Sequence, residues 1–213
     1  QQVAKLTEGL ETDDLADILQ QLPDQVTLEV LRAMDEQDRQ RVESILSFDE
    51  DTAGGMMNTD TITVRRSHSL ELVLRYLRRH ESLPEMTDNI LVVDRADKFL
   101  GILPLRSLLV SDPNKTVRDI MREDIDAISV DMSATQVALL FEQHDWVSAP
   151  VVDADGKLVG RITIDDVVDV IRDNAEHSLM SMAGLDEEDD SFAPILKTAR
   201  RRALWLGVNL MTA

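Results

Sequence analysis

One stretch of this chain is written twice, and a repeat restricts the fold more than any single motif does. Residues 90–109 and 150–169 each read as a strand, a tight turn, a second strand and the start of a helix. Asp94 matches Asp153 and Gly101 matches Gly160, both pairs 59 positions apart. A fixed offset across a whole hairpin and helix marks an internal repeat, so the chain must build two copies of one supersecondary unit. In the second copy Val151 and Val152 favour a strand that ends at Asp153. Asp155-Gly156 is a hairpin signal, because the turn requires positive φ. Leu158, Val159, Ile162 and Ile164 carry the chain back. Thr163 is placed to cap the next helix, with Asp165 and Asp166 in the first turn, where the helix dipole favours acids.

Each copy is preceded by a short strand and a helix. The pattern predicts a strand over 61–64, then a helix over 69–79 with Leu70, Val73, Leu74 and Leu77 on one face and Arg75, Arg78 and Arg79 on the other. The second copy repeats this with a strand over 127–130 and a helix over 133–144 that turns Val137, Leu140 and Phe141 inward. Two βαββα units with "PVVD…G.LVG.IT..D" in the second resemble a tandem pair of CBS domains. The resemblance implies binding modules that hold adenine nucleotides or metal ions in clefts between the halves, and that are not enzymes in themselves. The residues agree on the last point. No Walker-type phosphate loop, Ser-His-Asp set or two-His metal motif is written here, so hydrolysis has no candidate constellation.

The region before the repeats is helical and acidic. Leu6, Leu10, Leu15, Ile18, Leu19 and Leu22 recur at helical spacing; Thr12-Asp13-Asp14 reads as a helix start and Leu22-Pro23 as its end. Two further helices are expected over about 24–33 and 36–46. The net charge of −19 is uneven: residues 1–60 carry 15 acids and 4 bases, residues 61–115 carry 7 and 9, and residues 116–213 carry 19 and 9. Two acidic blocks flanking a near-neutral one make nucleic acid an unsuitable partner, since phosphate binding needs the opposite sign. The blocks serve solubility as they stand, or they face each other and need cations between them. There is no cysteine, so thiolate metal sites and disulfides are excluded. No N-terminal signal peptide is visible, and a reducing, cytoplasmic setting fits.

Between the helices and the repeats stands Asp-Glu-Asp-Thr-Ala-Gly-Gly-Met-Met, residues 49–57, whose glycine pair breaks a helix and permits close backbone approach. This junction, between an acidic helical region and a CBS pair, resembles that of MgtE-type magnesium transporters. The expected fold class is therefore α+β: an all-helical acidic N domain over 1–53, CBS repeats over 58–115 and 116–178, and, over 179–213, a connecting helix and the start of a first transmembrane helix. The tail agrees in character. Lys197, Arg200, Arg201 and Arg202 precede the apolar run 203–213 with Trp205 at its start, a cytoplasmic entry pattern. Those 11 residues fall short of the roughly 20 that a bilayer crossing needs. A packed amphipathic terminal helix would read the same way. The resemblance implies an inner-membrane protein with this region on the cytoplasmic side as its Mg2+-sensing and gating part, Mg2+ favouring the closed state. It also implies a homodimer through the CBS domains, and the protein's own transmembrane domain as a further partner. A soluble CBS-pair sensor of adenine nucleotides that regulates a partner protein is the alternative.

The candidate site residues are carboxylates. Asp13 and Asp17 lie one turn apart on the first helix, and Asp166, Asp169 and Asp173 share one side of the last, opposite Ile164, Val167, Val168 and Ile171, which are expected to be buried. Spacing alone fits an ordinary solvated face equally well. The resemblance implies more: Asp13 and Asp17 meet Asp166 when Mg2+ is bound, with Asp169, Asp173 and Glu176 as further metal residues. Magnesium takes oxygen ligands, keeps several waters and needs only one or two carboxylates. Where the family carries a denser acidic cluster, this chain has Asn174, His177 and Ser178, and Thr135 sits at another position that is often acidic. CBS clefts that bind ATP use a Thr or Ser and an Asp three residues later; Thr163 and Asp166 fit that pattern, whereas Pro104 and Ser107 break it in the first repeat.

Overall fold

The computed structural model describes residues 12–20, 22–80 and 82–182, with side chains as far as Glu176 apart from positions 24 and 37. The expected terminal membrane segment, Leu6, Leu10 and His177's side chain lie outside the described residues. Among the described residues no helix is long and apolar enough to cross a membrane. The chain divides into one unit of residues 1–170 and another of 171–213.

The fold is mixed helix and sheet, as the α+β reading expected. Three helices come first: α1 (Thr12–Gln20), α2 (Asp24–Ala33) and α3 (Glu36–Ile45). Leu15, Leu19, Val30, Leu31 and Val42 form their common core. Ile18, Val26 and Leu28 remain exposed, so the apolar stripe that packs is narrower than the one the sequence offers.

Each repeat then builds a three-stranded sheet of identical topology. In the first, β1 (Thr63–Arg65) pairs in parallel with β2 (Asn89–Val93), which pairs antiparallel with β3 (Phe99–Pro104). In the second, β4 (Ile128–Ser129), β5 (Ser148–Val152) and β6 (Leu158–Thr163) do the same. Helix α4 (Leu70–Leu77) links β1 to β2 and α6 (Ala134–His144) links β4 to β5; α5 (Leu105–Val110) and α7 (Ile164–Met182) follow the hairpins. Ser69 caps α4 by accepting from the Leu72 amide, and Ser133 caps α6 by accepting from the Gln136 amide. These caps are 64 positions apart whereas the hairpins are 59 apart. The first repeat therefore carries five extra residues between its cap and its hairpin: its helix is three residues shorter and the connection after it, which contains Glu85 and Met86, is eight longer.

The two repeats exchange their leading segments. Ala53, Met56 and Met57 lie in the core of the second repeat with Ile128, Val137, Phe141 and Ile162. Val117, with Ile120 and Met121 packed beside it, lies in the core of the first repeat with Leu70, Ile90 and Leu103. Boundaries drawn in sequence at 58 and 116 thus separate each leading segment from the core it fills. Gly101 and Gly160 sit where these crossing segments pass. A Cβ on Gly101 would stand 2.1 Å from the Arg122 carbonyl oxygen, and one on Gly160 would stand 2.9 Å from that of Asn58. Gly54 and Gly55 are equally crowded, by the Phe48 ring and the Asp49 carbonyl, which is the close approach expected of the glycine pair.

Candidate metal-responsive face at the second repeat

The start of α7 is fixed by its own first turn. Both the hydroxyl and the amide of Thr163 donate to Asp166 Oδ2, at 2.9 and 3.4 Å. Thr163 is buried, so the predicted capping threonine is spent on an intrachain bond that also aims Asp166. Of the apolar residues expected to face inward on this helix, Val167 is buried and Ile164 packs against the core, where Val170, which was not among them, joins it. Val168 and Ile171 are exposed, contrary to expectation. The core takes residues three apart, 164, 167 and 170, and leaves the neighbouring flank open.

Helix α1 comes to this place through the segment that follows the glycine pair. The Thr12 hydroxyl donates to Asn58 Oδ1 at 3.2 Å and stands the same distance from the Thr59 hydroxyl. Asn58 Nδ2 donates to Asp13 Oδ1 at 3.3 Å. Asn58 is itself held by two backbone bonds with Arg161 of β6, its amide donating at 2.7 Å and its carbonyl accepting at 2.9 Å. A second tie is the ion pair of Arg41 on α3 with Asp60, at 2.7 Å. Asp13 retains only 5% of its exposure.

The electrostatic consequence falls on Asp166. Burial raises its pKa to about 7, with repulsion from Asp13 as the next cause; Thr163 opposes the rise and Asp165 adds to it. Asp17 is raised too, by loss of solvent first and then by Asp14, Glu50 and Asp169. The fold thus holds Asp13 and Asp17 of α1 within electrostatic range of Asp166 and Asp169 of α7, and adds Glu50, which the sequence reading did not single out. Carboxylates brought together with partial loss of water are chemically suited to a hard divalent cation. Among the described residues no group of three or more His, Asp or Glu side chains is close enough to hold an ion by themselves. A cation here would be one that keeps water ligands, as Mg2+ does. Asp173 and Glu176 belong to the unit that begins at Ile171 and are exposed.

The other end of the pair is built differently. A cavity of about 650 Å3 opens there, lined among others by Pro104, Arg106, Arg122, Trp146 and Ser148. Trp146 stacks on His144 with ring centroids 4.8 Å apart. Ser148 donates to Asp88 at 2.5 Å. Pro104 and Ser107 hold the positions of Thr163 and Asp166 in this repeat, so the cavity lies at the end where the threonine–aspartate pattern is broken. Thr163 and Asp166 do not line it.

Comparison with known proteins agrees with this architecture. Residues 1–51 match the MgtE intracellular N domain, and residues 53–112 and 117–173 match the CBS domain. "Magnesium transporter MgtE" of Thermus thermophilus is 36% identical over 197 residues, which is 91% of this chain and 43% of that protein. The protein of the same name from Enterococcus faecalis is 30% identical over 165 residues, 78% of this chain and 36% of its own length. The chain thus spans less than half the length of these relatives. Among solved structures, the cytosolic domain of the Mg2+ channel MgtE in complex with ATP superposes with a TM-score of 0.75 at 37% identity, covering 79% of this chain and 69% of that one. The soluble part of a magnesium transporter gives 0.77 at 26% identity, covering 81% and 67%. An MgtE N domain ahead of two CBS domains, together with the 37% identity to an MgtE cytosolic domain of which the chain covers 69%, establishes that the chain belongs to the MgtE family.

Proposed function

We propose that this chain is the Mg2+-sensing and gating region of an MgtE-type magnesium channel or transporter. In this reading Mg2+ bridges the acids of α1 to those at the start of α7 and favours a compact state in which the pore is closed. The observation that carries it is the docking of α1 beside the start of α7 through Thr12, Asp13 and Asn58, which leaves Asp166 half-buried with Asp13 in electrostatic range, its pKa raised to about 7 by burial first and by Asp13 second. Two carboxylates held so repel each other when both are ionised. A divalent cation converts the repulsion into attraction, and it does so only in the docked state. That differential affinity is what a population shift requires.

The chain's own residues divide the work. Asp13, Asp17, Asp166 and Asp169 supply oxygen ligands, and Asp173 and Glu176 offer further ones along α7. Thr163 orients Asp166. The relatives named as magnesium transporters support Mg2+ as the cation. The region acts by binding and moving, without catalysis, on the cytoplasmic side of a cell membrane, and is joined to a transmembrane domain of the same polypeptide. A homodimer through the CBS domains is part of the proposal; Leu72, Tyr76, Leu109, Leu139 and Val168 are exposed apolar side chains on the CBS helices that a second copy would cover.

The test is small-angle scattering of the chain with and without millimolar Mg2+, repeated with Asp13→Ala/Asp17→Ala. Compaction by Mg2+ that the double variant loses supports bridging. An unchanged radius in the wild type sinks it.

A second reading concerns the cavity beside Trp146. Its volume and its aromatic wall suit an adenine nucleotide, and the similar MgtE cytosolic domain was crystallised with ATP. We place nucleotide binding there rather than at Thr163 and Asp166, because Thr163 is buried against Asp166 and α1 is tied down beside them. Quenching of Trp146 fluorescence by ATP, lost in Arg106→Ala, would support this; a flat titration in the presence of Mg2+ would end it.

A further inference from the structure

We infer that Asn58 is a positioning residue: its carboxamide sets the register of α1 on the second CBS repeat and presents the Asp13 carboxylate, independently of any metal. The inference rests on the proposed docking of α1 acids against α7, and adds a fixed, uncharged element to it.

Asn58 has 0% of its surface exposed. Its backbone is locked to Arg161 from both sides, so the side chain has a fixed origin on the sheet of the second repeat. From there each polar atom has a separate task. Oδ1 accepts from the Thr12 hydroxyl at 3.2 Å and from the Asp60 amide at 2.7 Å, and Nδ2 donates to Asp13 Oδ1 at 3.3 Å. An amide carries an acceptor and a donor on separate atoms without charge, so one short side chain accepts from Thr12 and donates to a carboxylate at once. Asp could keep the two accepted bonds but would set a third carboxylate beside Asp13 and Asp166. Ala would remove one bond from the buried Thr12 hydroxyl, which keeps Thr59, and one from the buried Asp13 carboxylate, which keeps the Asp14 amide, so what is lost is the tie between α1 and the sheet. The hydrogen bond to Asp13 acts whether or not a cation is present, so it keeps Asp13 aimed during the interval when no cation screens it from Asp166.

A purely structural asparagine in the exchanged segment would act through its backbone bonds to Arg161, which Ala and Asp both retain. The two roles therefore separate experimentally. Amide hydrogen exchange on the 213-residue chain in chelator should show residues 12–20 protected in wild type. In Asn58→Ala that protection falls by about tenfold, and in Asn58→Asp at pH 8 it falls further, while residues 148–163 keep theirs. The Mg2+ concentration needed to restore protection in α1 rises by about the same factor. Unchanged protection of residues 12–20 in Asn58→Ala overturns the inference, whatever Mg2+ does. Equal losses over 12–20 and 148–163 overturn it as well, by making Asn58 a fold residue only. If wild type fails to respond to Mg2+ while Asn58→Ala still loosens α1, the metal reading fails and the positioning role stands.

Discussion

The two CBS repeats share a strand order, a bulged hairpin, a serine-capped helix and an exchanged leading segment, yet their corresponding ends have different occupants. At the second repeat Thr163 and Asp166 open α7, and α1 lies beside them through Thr12 and Asn58. At the first, Pro104 and Ser107 open α5, no capping bond comes from the side chain at Pro104, and a cavity of about 650 Å3 is left. One scaffold thus yields an acidic docking face at one end and an open cleft at the other. The difference is made by a handful of side chains at equivalent positions, and substitutions at those positions test it.

Two effects of similar and largest size are expected, the first of them where the two repeats are most alike. Gly101 has φ of +146° and no room for a Cβ, because the crossing Arg122 carbonyl is in the way. Gly101→Ala should cost about 3 kcal/mol or more, since the obstacle is backbone that is itself paired with Ile102. Gly156 also has positive φ but faces open space, so Gly156→Ala should cost only about 1 kcal/mol. Chemical denaturation of both variants would check this. Comparable losses would mean that close approach is not what Gly101 serves.

Next comes the core of the second repeat. Phe141 is buried among Ala53, Met57 and Val137 and meets Trp146 edge-on at 5.7 Å. Phe141→Ala should cost about 3–5 kcal/mol. The exchanged segment supplies part of that core, so the variant should also loosen residues 52–58 in hydrogen exchange. Loss confined to α6 and its own sheet would contradict the exchange of segments.

These features divide what was legible in the sequence from what was not. The hairpins were legible because alternation, Asp-Gly and the fixed offset are local or periodic signals. The helix starts at Ser69 and Ser133 were legible for the same reason. The partners of Met56 and Met57 were not, because nothing local states that a segment fills the core of the more distant repeat. The acids of α1 and α7 were legible as faces, and only the resemblance paired them. Asn58 and Glu50 were missed for a related reason. Asn58 stands in what reads as a linker, and its role comes from lying between Thr12, Asp13 and Arg161, which are far away in sequence. On α7 the helical period alone misassigned Val168 and Ile171, since which flank is covered depends on the neighbour and not on the helix.

A smaller effect, with a defined sign, belongs to the acidic face. The pKa of Asp166 is raised from about 3.8 to about 7, and that of Asp17 is also raised. A carboxyl whose pKa is raised in the docked state contributes most below its ordinary pKa, and the contribution is lost as pH rises through the raised value. Without divalent cations, docking of α1 should therefore be tightest near pH 4 and weaken up to about pH 7. Mg2+ should remove most of that dependence at pH 8, because it competes with the proton for the same oxygens. Asp166→Asn should flatten the metal-free pH profile and blunt the Mg2+ response, while Ser107→Asp in the first repeat should do neither. Hydrogen exchange of residues 12–20 at pH 5 and pH 8, with rates corrected for intrinsic chemistry, would decide. A metal-free profile that tightens with rising pH would reverse the sign and refute the pairing.

The smallest expected effect sits at the hairpin turns, where the repeats place different residues at the position of positive φ. Asp97 holds φ of +60° at the position that Gly156 holds in the second repeat. Both turns are otherwise alike: Asp94 accepts from the amides of Ala96 and Lys98, and Asp153 from those of Asp155 and Lys157. Asp tolerates the left-handed region better than most residues, and Asp97 also pairs with Arg65 at 3.0 Å on the surface. Asp97→Gly should relieve roughly 0.5–1 kcal/mol of backbone cost and forfeit about 0.5 kcal/mol of exposed ion pair. A net change within about 0.5 kcal/mol is the expectation, measured by the denaturation midpoint. Arg65→Ala made in both backgrounds separates the two contributions. If Asp97→Gly destabilises by more than 1 kcal/mol only when Arg65 is present, the ion pair outweighs the turn, and the first hairpin is held by charge where the second is held by glycine.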